Sequence, residues 1–222
     1  GDNPNEILIT SNGKYIYVCN ANDNTVSVID VKTKKVIETL DAALFPNSPS
    51  GSTTNSLAYD ESKKILYIAN ADNNCLAVFD VSKPGSSFSL GFIPTGWYPT
   101  CVRLIDKKLW VSNGKGFSSK PNPFGPSPLR RSQEVIQHGG ITKKGSDVQY
   151  IASLLKGSMS IIPIPSIAEL KEYTAAVYRN SPYSNYRNEM SPGLPESLKS
   201  GDKSVVKHVF YIIKENRTYD QV

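Results

Sequence analysis

One segment of this sequence occurs twice, and this repetition constrains the fold more than any other feature. Residues 14–31 (KYIYVCNANDNTVSVIDV) align with residues 64–81 (KILYIANADNNCLAVFDV) at an offset of 50, with 8 of 18 positions identical. A third copy begins at residues 109–113 (LWVSN) and resumes at residues 157–164 (GSMSIIPI). Self-similarity at a period of roughly 40 to 50 residues predicts a repeat architecture in which neighbouring units bury one another.

Each copy has the pattern of two β-strands joined by a tight hairpin. Apolar residues alternate with their neighbours at Ile16 and Val18 and again at Val26 and Val28, as in strands with one face toward a core. The linking Asn-Ala-Asn-Asp-Asn favours a tight turn because asparagine and aspartate tolerate left-handed backbone. Further strands are predicted before and after the hairpins, at residues 6–10, 36–40, 56–59, 87–93 and 101–105.

Four short antiparallel strands per repeat are typical of a β-propeller blade. We therefore predict an all-β fold, a partial β-propeller of about three four-stranded blades, although a β-sandwich with repeated hairpins is an alternative. Propellers usually close with about four to eight blades. Either further blades lie outside the chain, or several copies complete the ring as a homo-oligomer through their open sheet edges.

The repeats also resemble a known family. Tyr-Val-Cys-Asn at residues 17–20 and Tyr-Ile-Ala-Asn at residues 67–70 are each followed by a strand similar to Val-Ser-Val-Ile-Asp. These motifs resemble the YVTN-type β-propeller repeat. The resemblance covers most of residues 4–112 and 157–165; it implies the propeller fold and says little about function.

A long insertion, residues 114–156, interrupts the third hairpin at its tip. Its first part is rich in proline and glycine, and such an insertion is either an ordinary surface loop or a functional loop. In the functional interpretation the loop reaches a partner domain. The residues expected to make that contact are Phe117, Phe124, Arg130 and Arg131.

The pattern changes from strand to helix after the third blade. Ser166 and Glu169 form a capping-box pattern at the start of a helix predicted over residues 166–179. Residues 180–203 are rich in Pro, Ser, Asn and Gly, which is typical of an interdomain linker. The residues expected to line one face of the helix are Ile167, Leu170, Tyr173, Ala176 and Val177.

The last stretch, residues 204–222, differs from the blades. It opens with an apolar run, Val205 to Ile213, that predicts a strand buried on both faces, as in a parallel sheet. Glu215 and Asn216 follow its carboxyl end, where open α/β sheets bind ligands. A carboxylate beside a carboxamide suits a divalent metal, and the alternative is a polar end to a strand-to-loop turn.

Residues 214–220 (KENRTYD) after this strand resemble the first motif of the phosphoesterase family in the alkaline-phosphatase-like superfamily. Bacterial proteins that join YVTN-type blades to such a domain form a recognisable arrangement. The resemblance implies that Glu215 and Asn216 are metal ligands, that Asp220 supports the loop, and that the nucleophile and remaining ligands lie beyond Val222. Because two donors cannot complete a coordination shell, we expect this chain alone to be inactive and to bind no metal.

Composition argues against several other classes. The net charge is +5, from 25 Lys and Arg against 20 Asp and Glu, without a long basic run, so nothing favours nucleic acid as a partner. No apolar run approaches the roughly 20 residues that span a bilayer. Three cysteines without a Cys-x-x-Cys pair argue against a zinc ribbon or a disulfide framework.

We therefore divide the chain into propeller blades at residues 1–165, a helix and linker at 166–203, and the N-terminal stub of a phosphoesterase domain at 204–222. The expected function is that of a non-catalytic propeller fragment of a metal-dependent phosphoesterase. Its expected partner is the missing domain or another copy of the chain, and the resemblance implies a periplasmic, secreted or cell-surface location. One alternative is a surface-layer or interaction protein that binds through its blades; another is a sugar- or peptide-binding propeller using Trp97, Tyr98 and Trp110.

Overall fold

A computed structural model gives two compact units: residues 1–119 with 155–181, and residues 120–154 with 182–222. In the second unit the described strands are β11 (Ile136–His138) and β12 (Ile141–Lys143), which pair antiparallel inside the predicted insertion. The residues that the structure describes are 1–46, 48, 50–116, 136–138, 140–143, 155–181, 208 and 210–212.

The first unit contains three antiparallel sheets, here called blades 1, 2 and 3. The strands of blade 1 are β1 (Pro4–Ile9), β2 (Tyr15–Asn20), β3 (Thr25–Asp30) and β4 (Lys35–Asp41). Those of blade 2 are β5 (Thr54–Asp60), β6 (Ile65–Asn70), β7 (Cys75–Asp80) and β8 (Phe88–Pro94). Those of blade 3 are β9 (Trp97–Ile105), β10 (Lys108–Gly116) and β13 (Ser158–Pro163). The predicted all-β partial propeller is confirmed, except that blade 3 has three described strands instead of four. The strand predicted to be buried on both faces over residues 205–213 is wrong at the residues described there, because Phe210, Tyr211 and Ile212 pair with no described strand and are 79% to 90% exposed.

Strand register shows that the three hairpins are structurally equivalent. Asn20 pairs with Thr25, and Asn70 pairs with Cys75. In blade 3 Asn113 pairs with Ser158, so the two halves of this hairpin meet across the insertion as the repeat alignment predicts. The insertion therefore leaves and re-enters the blade at the hairpin tip.

The core lies between successive blades. One buried cluster joins blade 1 to blade 2 and contains Val26, Val28 and Ile68, each 0% exposed. A second cluster joins blade 2 to blade 3 and contains Leu76 and Val111. Blade 2 is thus buried on both faces, which explains why its strands are the most continuously apolar of the three.

The two outer faces of the stack remain open. On blade 1, Ile7 is 68% exposed, whereas its counterpart in blade 2, Leu57, is 1% exposed. On blade 3, Met159 is 57% and Ile161 is 49% exposed, although their counterparts in blade 1, Val26 and Val28, are fully buried. Side chains with a core pattern are therefore exposed on the two faces that no described sheet covers.

A helix, α1 (Ile167–Asn180), begins with the predicted capping box. The Ser166 hydroxyl accepts from the Glu169 backbone N–H at 3.3 Å, and the Glu169 carboxylate accepts from the Ser166 backbone N–H at 2.8 Å. Leu170 and Val177 are buried as predicted, but Ile167 is 91% exposed. Ile167 is the first residue of the helix, and it lies at the edge of an open cavity that it lines together with Ile65 and Tyr67 of blade 2. No helix of the described residues has the length and apolar character that a membrane span requires.

The helix packs against β8, the outer strand of blade 2, through a polar contact that the apolar pattern did not predict. The Phe92 backbone N–H donates to the Thr174 hydroxyl at 2.8 Å, which in turn donates to the Leu170 carbonyl at 2.7 Å. Tyr178 donates its phenolic hydrogen to the Leu44 carbonyl at 2.8 Å. The helix thus satisfies part of a sheet edge and ties blade 2 to the connection that follows blade 1.

The close approach of α1 depends on Gly91. Its φ is +136°, a value that side-chain-bearing residues rarely adopt, and a Cβ there would lie 2.3 Å from Thr174 Oγ1. Gly91 also lies at an irregularity in the β7–β8 register. Glycine is therefore required both for the backbone conformation and for the space occupied by the threonine.

We predict that Gly91→Ala lowers the free energy of unfolding by about 3 kcal/mol, because it combines backbone strain with overpacking against Thr174. Gly85→Ala is the matched control, since Gly85 also has positive φ (+94°) but no heavy atom within 4 Å. Gly85→Ala should lower the free energy of unfolding only through backbone strain, by about 1 to 2 kcal/mol. Urea denaturation measures both variants, and equal losses would contradict the packing argument.

Candidate functional site

The hairpin tips and the connections between blades meet at one end of the stack, here called the tip end. It comprises residues 21–24 and 71–74 with the described residues of the connections, which are 42–46, 48, 50–53 and 95–96. The Ala42 N–H donates to the Asn24 carbonyl at 3.0 Å, and the Thr95 N–H makes the equivalent bond to the Asn74 carbonyl at 3.0 Å. Since the insertion starts at the third hairpin tip, it leaves from this end as well.

The tip end is organised by buried asparagines at equivalent positions of β2 and β10, Asn20 and Asn113. The side-chain amide of Asn20 donates to Thr25 Oγ1 at 3.0 Å and to Ser27 Oγ at 2.9 Å. In blade 3 the amide of Asn113 donates to two serine hydroxyls at the same register positions, Ser158 at 3.3 Å and Ser160 at 2.9 Å. The repeat motif thus preserves a hydrogen-bond pattern as well as a strand pattern.

Blade 2 replaces this pattern with a link to its neighbour. Cys75 and Ala77 occupy the positions of Thr25 and Ser27, so no hydroxyl faces the Asn70 amide. Asn70 instead donates to the carbonyl of Ala42 at 2.6 Å. This buried bond attaches blade 2 to the segment that leaves blade 1.

A second asparagine in each hairpin tip fixes the entry into the next blade. Asn24 and Asn74 have φ values of 58° and 53°, so both adopt the left-handed backbone conformation predicted for the hairpin turns. Asn24 Oδ1 accepts from the Ser52 N–H at 2.6 Å, and Asn74 Oδ1 accepts from the Tyr98 N–H at 2.8 Å. Hairpin tips are therefore structural supports for the connections as well as exposed loops.

A polar row runs across β1, β5 and β9, the neighbouring first strands of the three blades. Glu6 Oε2 accepts from the Leu57 N–H at 2.5 Å, and Ser56 Oγ accepts from the Val102 N–H at 3.1 Å. Arg103 Nη2 donates to Glu6 Oε1 at 2.9 Å, so one guanidinium on blade 3 reaches blade 1. This row was not predicted from the sequence. The signal that points to it is the offset of 50 between Glu6 and Ser56, which gives them equivalent positions in successive repeats.

A small pocket lies between the tip end of blade 2 and the last turns of α1. Its volume is about 330 Å³. Trp97 is 39% exposed at its edge, and Tyr98 beside it has Lys115 Nζ 4.3 Å from the ring centroid. The lining residues are Asn73, Asn74, Pro94, Thr95, Trp97, Val177 and Asn180.

Of the three aromatic residues proposed for ligand binding, the structure thus places Trp97 and Tyr98 at the tip end. Trp110 lies mid-strand in β10, opposite Arg103 and Ile161. A second cavity of about 420 Å³ lies toward the other end of α1, lined mainly by apolar residues such as Tyr67, Val78 and Leu170.

The metal-ligand, loop-support and partner-contact residues predicted from the sequence all fall outside the described residues. In the described ranges the structure contains no group of three or more His, Cys, Asp or Glu side chains arranged to hold a metal ion. The metal-ligand, loop and partner-contact predictions therefore remain predictions. The residues concerned are Glu215, Asn216, Asp220, Phe117, Phe124, Arg130 and Arg131.

Two cysteine thiols lie in the core beside the asparagines that end β2 and β6. Cys19 precedes Asn20 in the chain, and Cys75 pairs with Asn70 across the hairpin. Cys19 and Cys75 are free and buried, whereas Cys101 is partly exposed. Burial, which penalises the thiolate, raises the pKa of both Cys19 and Cys75 from near 9 to about 12. These thiols are therefore protonated and unreactive in the folded chain at neutral pH.

Comparison with known protein families gives a match over the first two blades. Residues 1–96 match the model of the family described as lactonase, 7-bladed beta-propeller. The match ends before residues 204–222, which carry the phosphoesterase resemblance. No curated protein sequence matches this chain significantly.

Among solved structures, a proposed 6-phosphogluconolactonase from Bacteroides uniformis aligns at 18% identity with a TM-score of 0.46, over 74% of this chain and 42% of that one. A second proposed 6-phosphogluconolactonase, from Bacteroides fragilis, aligns at 24% identity with a TM-score of 0.44, over 51% of this chain and 33% of that one. Hydrazine synthase from Kuenenia stuttgartiensis aligns at 18% identity with a TM-score of 0.41, over 50% of this chain and 29% of that one. The chain spans less than half the length of each of these proteins.

Since burial raises the pKa of Cys19 and Cys75 above the unfolded value, their contribution to stability is intact below about pH 9 and is lost as the pH rises toward about 12. We predict that the free energy of unfolding falls over this interval and that Cys75→Ala makes the fall shallower. The control Cys101→Ala should leave the slope unchanged. Urea denaturation at several pH values measures this, and equal slopes for all three proteins would refute it.

Proposed function

We propose that this chain is the propeller module of a metal-dependent phosphoesterase, and that it serves as a scaffold and binding module while catalysis belongs to the domain that residues 204–222 begin. The observation that carries the proposal is the Lys-Glu-Asn-Arg-Thr-Tyr-Asp motif at residues 214–220, directly after an apolar strand pattern. Neither feature belongs to the blade repeat. The motif is thus evidence for a second function in the same polypeptide.

The described blades have the properties that a scaffold requires. Blade 2 is buried on both faces, and polar bonds from Glu6, Ser56 and Arg103 connect the first strands of all three blades. Such a stack holds loops in fixed relative positions at its ends. The insertion at residues 114–156 starts from this support, so we propose that it contacts the catalytic domain through Phe117, Phe124, Arg130 and Arg131.

The donor chemistry at Glu215 and Asn216 fits part of a metal site. A carboxylate and an amide oxygen are hard ligands suited to a divalent cation, but they supply only two of the roughly four to six donors needed. When bound, the metal would neutralise the phosphoryl oxygens and lower the pKa of the attacking group. In this chain Glu215 and Asn216 would hold the metal, and Asp220 would support the loop that carries them. The remaining metal ligands would come from outside this chain.

A lactone-hydrolysing propeller is the second candidate, and the family match over residues 1–96 favours it. In that case the blades themselves would carry the catalytic residues. The two candidates therefore differ in where the activity lies. A non-catalytic surface-layer or interaction protein, the alternative raised from the sequence, has no described feature that favours it.

The open faces of blades 1 and 3 suggest the partners of this module. Exposed Ile7 on one face and Met159 and Ile161 on the other occupy positions that are buried in equivalent blades. Such patches are covered in most soluble proteins. We propose that further blades, the phosphoesterase domain or a second copy covers them, and that the whole protein acts in the periplasm or at the cell surface.

The test compares this chain with a longer polypeptide that includes the coding sequence downstream of it, each with and without added Zn²⁺, Mg²⁺ or Mn²⁺. We predict that only the longer protein hydrolyses p-nitrophenyl phosphate or its phosphodiester analogue, and only with metal. Glu215→Gln should reduce the rate about 100-fold through lost metal affinity. Sedimentation of both proteins should show that this chain self-associates and that the longer one does so less.

Glu172→Gln is the matched control, since Glu172 is an exposed glutamate on α1 and should leave the rate unchanged. A longer protein without metal-dependent phosphoester hydrolysis would overturn the proposal. Hydrolysis of 6-phosphogluconolactone by this chain alone would instead support the lactonase candidate.

A further inference from the structure

The pocket between blade 2 and α1, here called the Trp97 pocket, is separate from the motif that carries the proposed catalytic function. Its lining residues come from the β6–β7 hairpin tip, the β8–β9 connection and the C-terminal turns of α1. At about 330 Å³ it lies at the lower end of the volumes that bind small molecules. Its size fits a ligand with one ring.

Three side-chain amides meet at this pocket. The Asn73 amide nitrogen donates to Ser52 Oγ at 2.7 Å, which orients the side chain and leaves its carbonyl oxygen as an acceptor. Asn74 uses its oxygen for the Tyr98 N–H, which leaves its two N–H donors. Asn180 is exposed in the last turn of α1 and can supply both a donor and an acceptor.

The rest of the lining is uncharged, and apart from Thr95 it is apolar. Trp97 offers a partly exposed indole face, and Pro94 and Val177 complete the apolar surface. Among the residues that the structure describes, no Lys, Arg, Asp or Glu lines the pocket. A charged ligand would therefore lose its hydration without gaining an ion pair, which favours a neutral one.

The pocket is also held in place before any ligand binds. Asn74 is fixed by the left-handed turn and by its bond to Tyr98, and α1 is fixed on β8 by the bond between Thr174 and Phe92. A preformed arrangement avoids the entropic cost of ordering side chains on binding. The amides are thus positioned for recognition as well as available for it.

We propose that the Trp97 pocket binds a neutral monosaccharide or a terminal sugar residue of a glycan. A pyranose has an apolar C–H face that packs on an indole and a rim of hydroxyl groups that both donate and accept. Amide side chains match those hydroxyls because each amide also carries both functions. This inference does not depend on the phosphoesterase proposal, since none of its residues lies in residues 204–222.

The chain contains two tryptophans, so Trp110→Phe leaves Trp97 as the sole indole reporter. Titration of this variant with glucose, galactose and N-acetylglucosamine should give a saturable change in fluorescence with at least one sugar. Sodium gluconate, an open-chain anion, should give none. In the otherwise native chain, Trp97→Phe should abolish the sugar-dependent change.

Asn73→Ala and Asn180→Ala, each in the Trp110→Phe background, should weaken binding about tenfold. Asn22→Ala is the matched control, because Asn22 is an exposed asparagine in the hairpin tip of blade 1 and does not line the pocket. Circular dichroism checks that each variant is folded. The proposal is overturned if no sugar gives saturation, if gluconate binds as well as the neutral sugars, or if the control weakens binding as much as Asn73→Ala.

Discussion

The structure depends on the burial of sheet faces between successive blades. Each sheet of the stack presents an apolar surface on both sides, and burying that surface against a neighbouring sheet stabilises the fold. Blade 2 satisfies this constraint completely because blade 1 covers one face and blade 3 the other. The helix α1 completes the arrangement by covering the outer edge of blade 2, where the Phe92 N–H would otherwise face solvent.

Polar contacts make this stacking specific. Apolar faces alone would tolerate sliding of one sheet on another, but Asn70 bonds to the Ala42 carbonyl and Arg103 reaches Glu6 across the intervening blade. Removing the Asn70 amide would be costly because the bond is buried and the Ala42 carbonyl would be left unsatisfied. The hairpin-tip asparagines that hold the connections between blades also shape the tip end, since Asn74 both bonds to the Tyr98 N–H and lines the Trp97 pocket.

The fold was largely predictable because its information is local and repeated. The alternation at Val26 and Val28 predicts strands, and the Asn-Ala-Asn-Asp-Asn turn predicts the hairpin. The Trp97 pocket was harder to predict from the sequence, because it depends on the contact between α1 and β8. That contact joins residues 82 positions apart in the chain. Ile167 shows the limit of periodicity: it has the spacing of a buried residue, but it borders an open cavity between the helix and blade 2 and is 91% exposed.

Hydrogen exchange followed by mass spectrometry tests the stacking account most directly, since amide protection reports the free energy of local opening. The account predicts that β6 and β7 of blade 2 exchange most slowly, and that β1 and β13, on the open faces of blades 1 and 3, exchange much faster. Uniform protection across the three blades, or faster exchange in β6 than in β1, would contradict it.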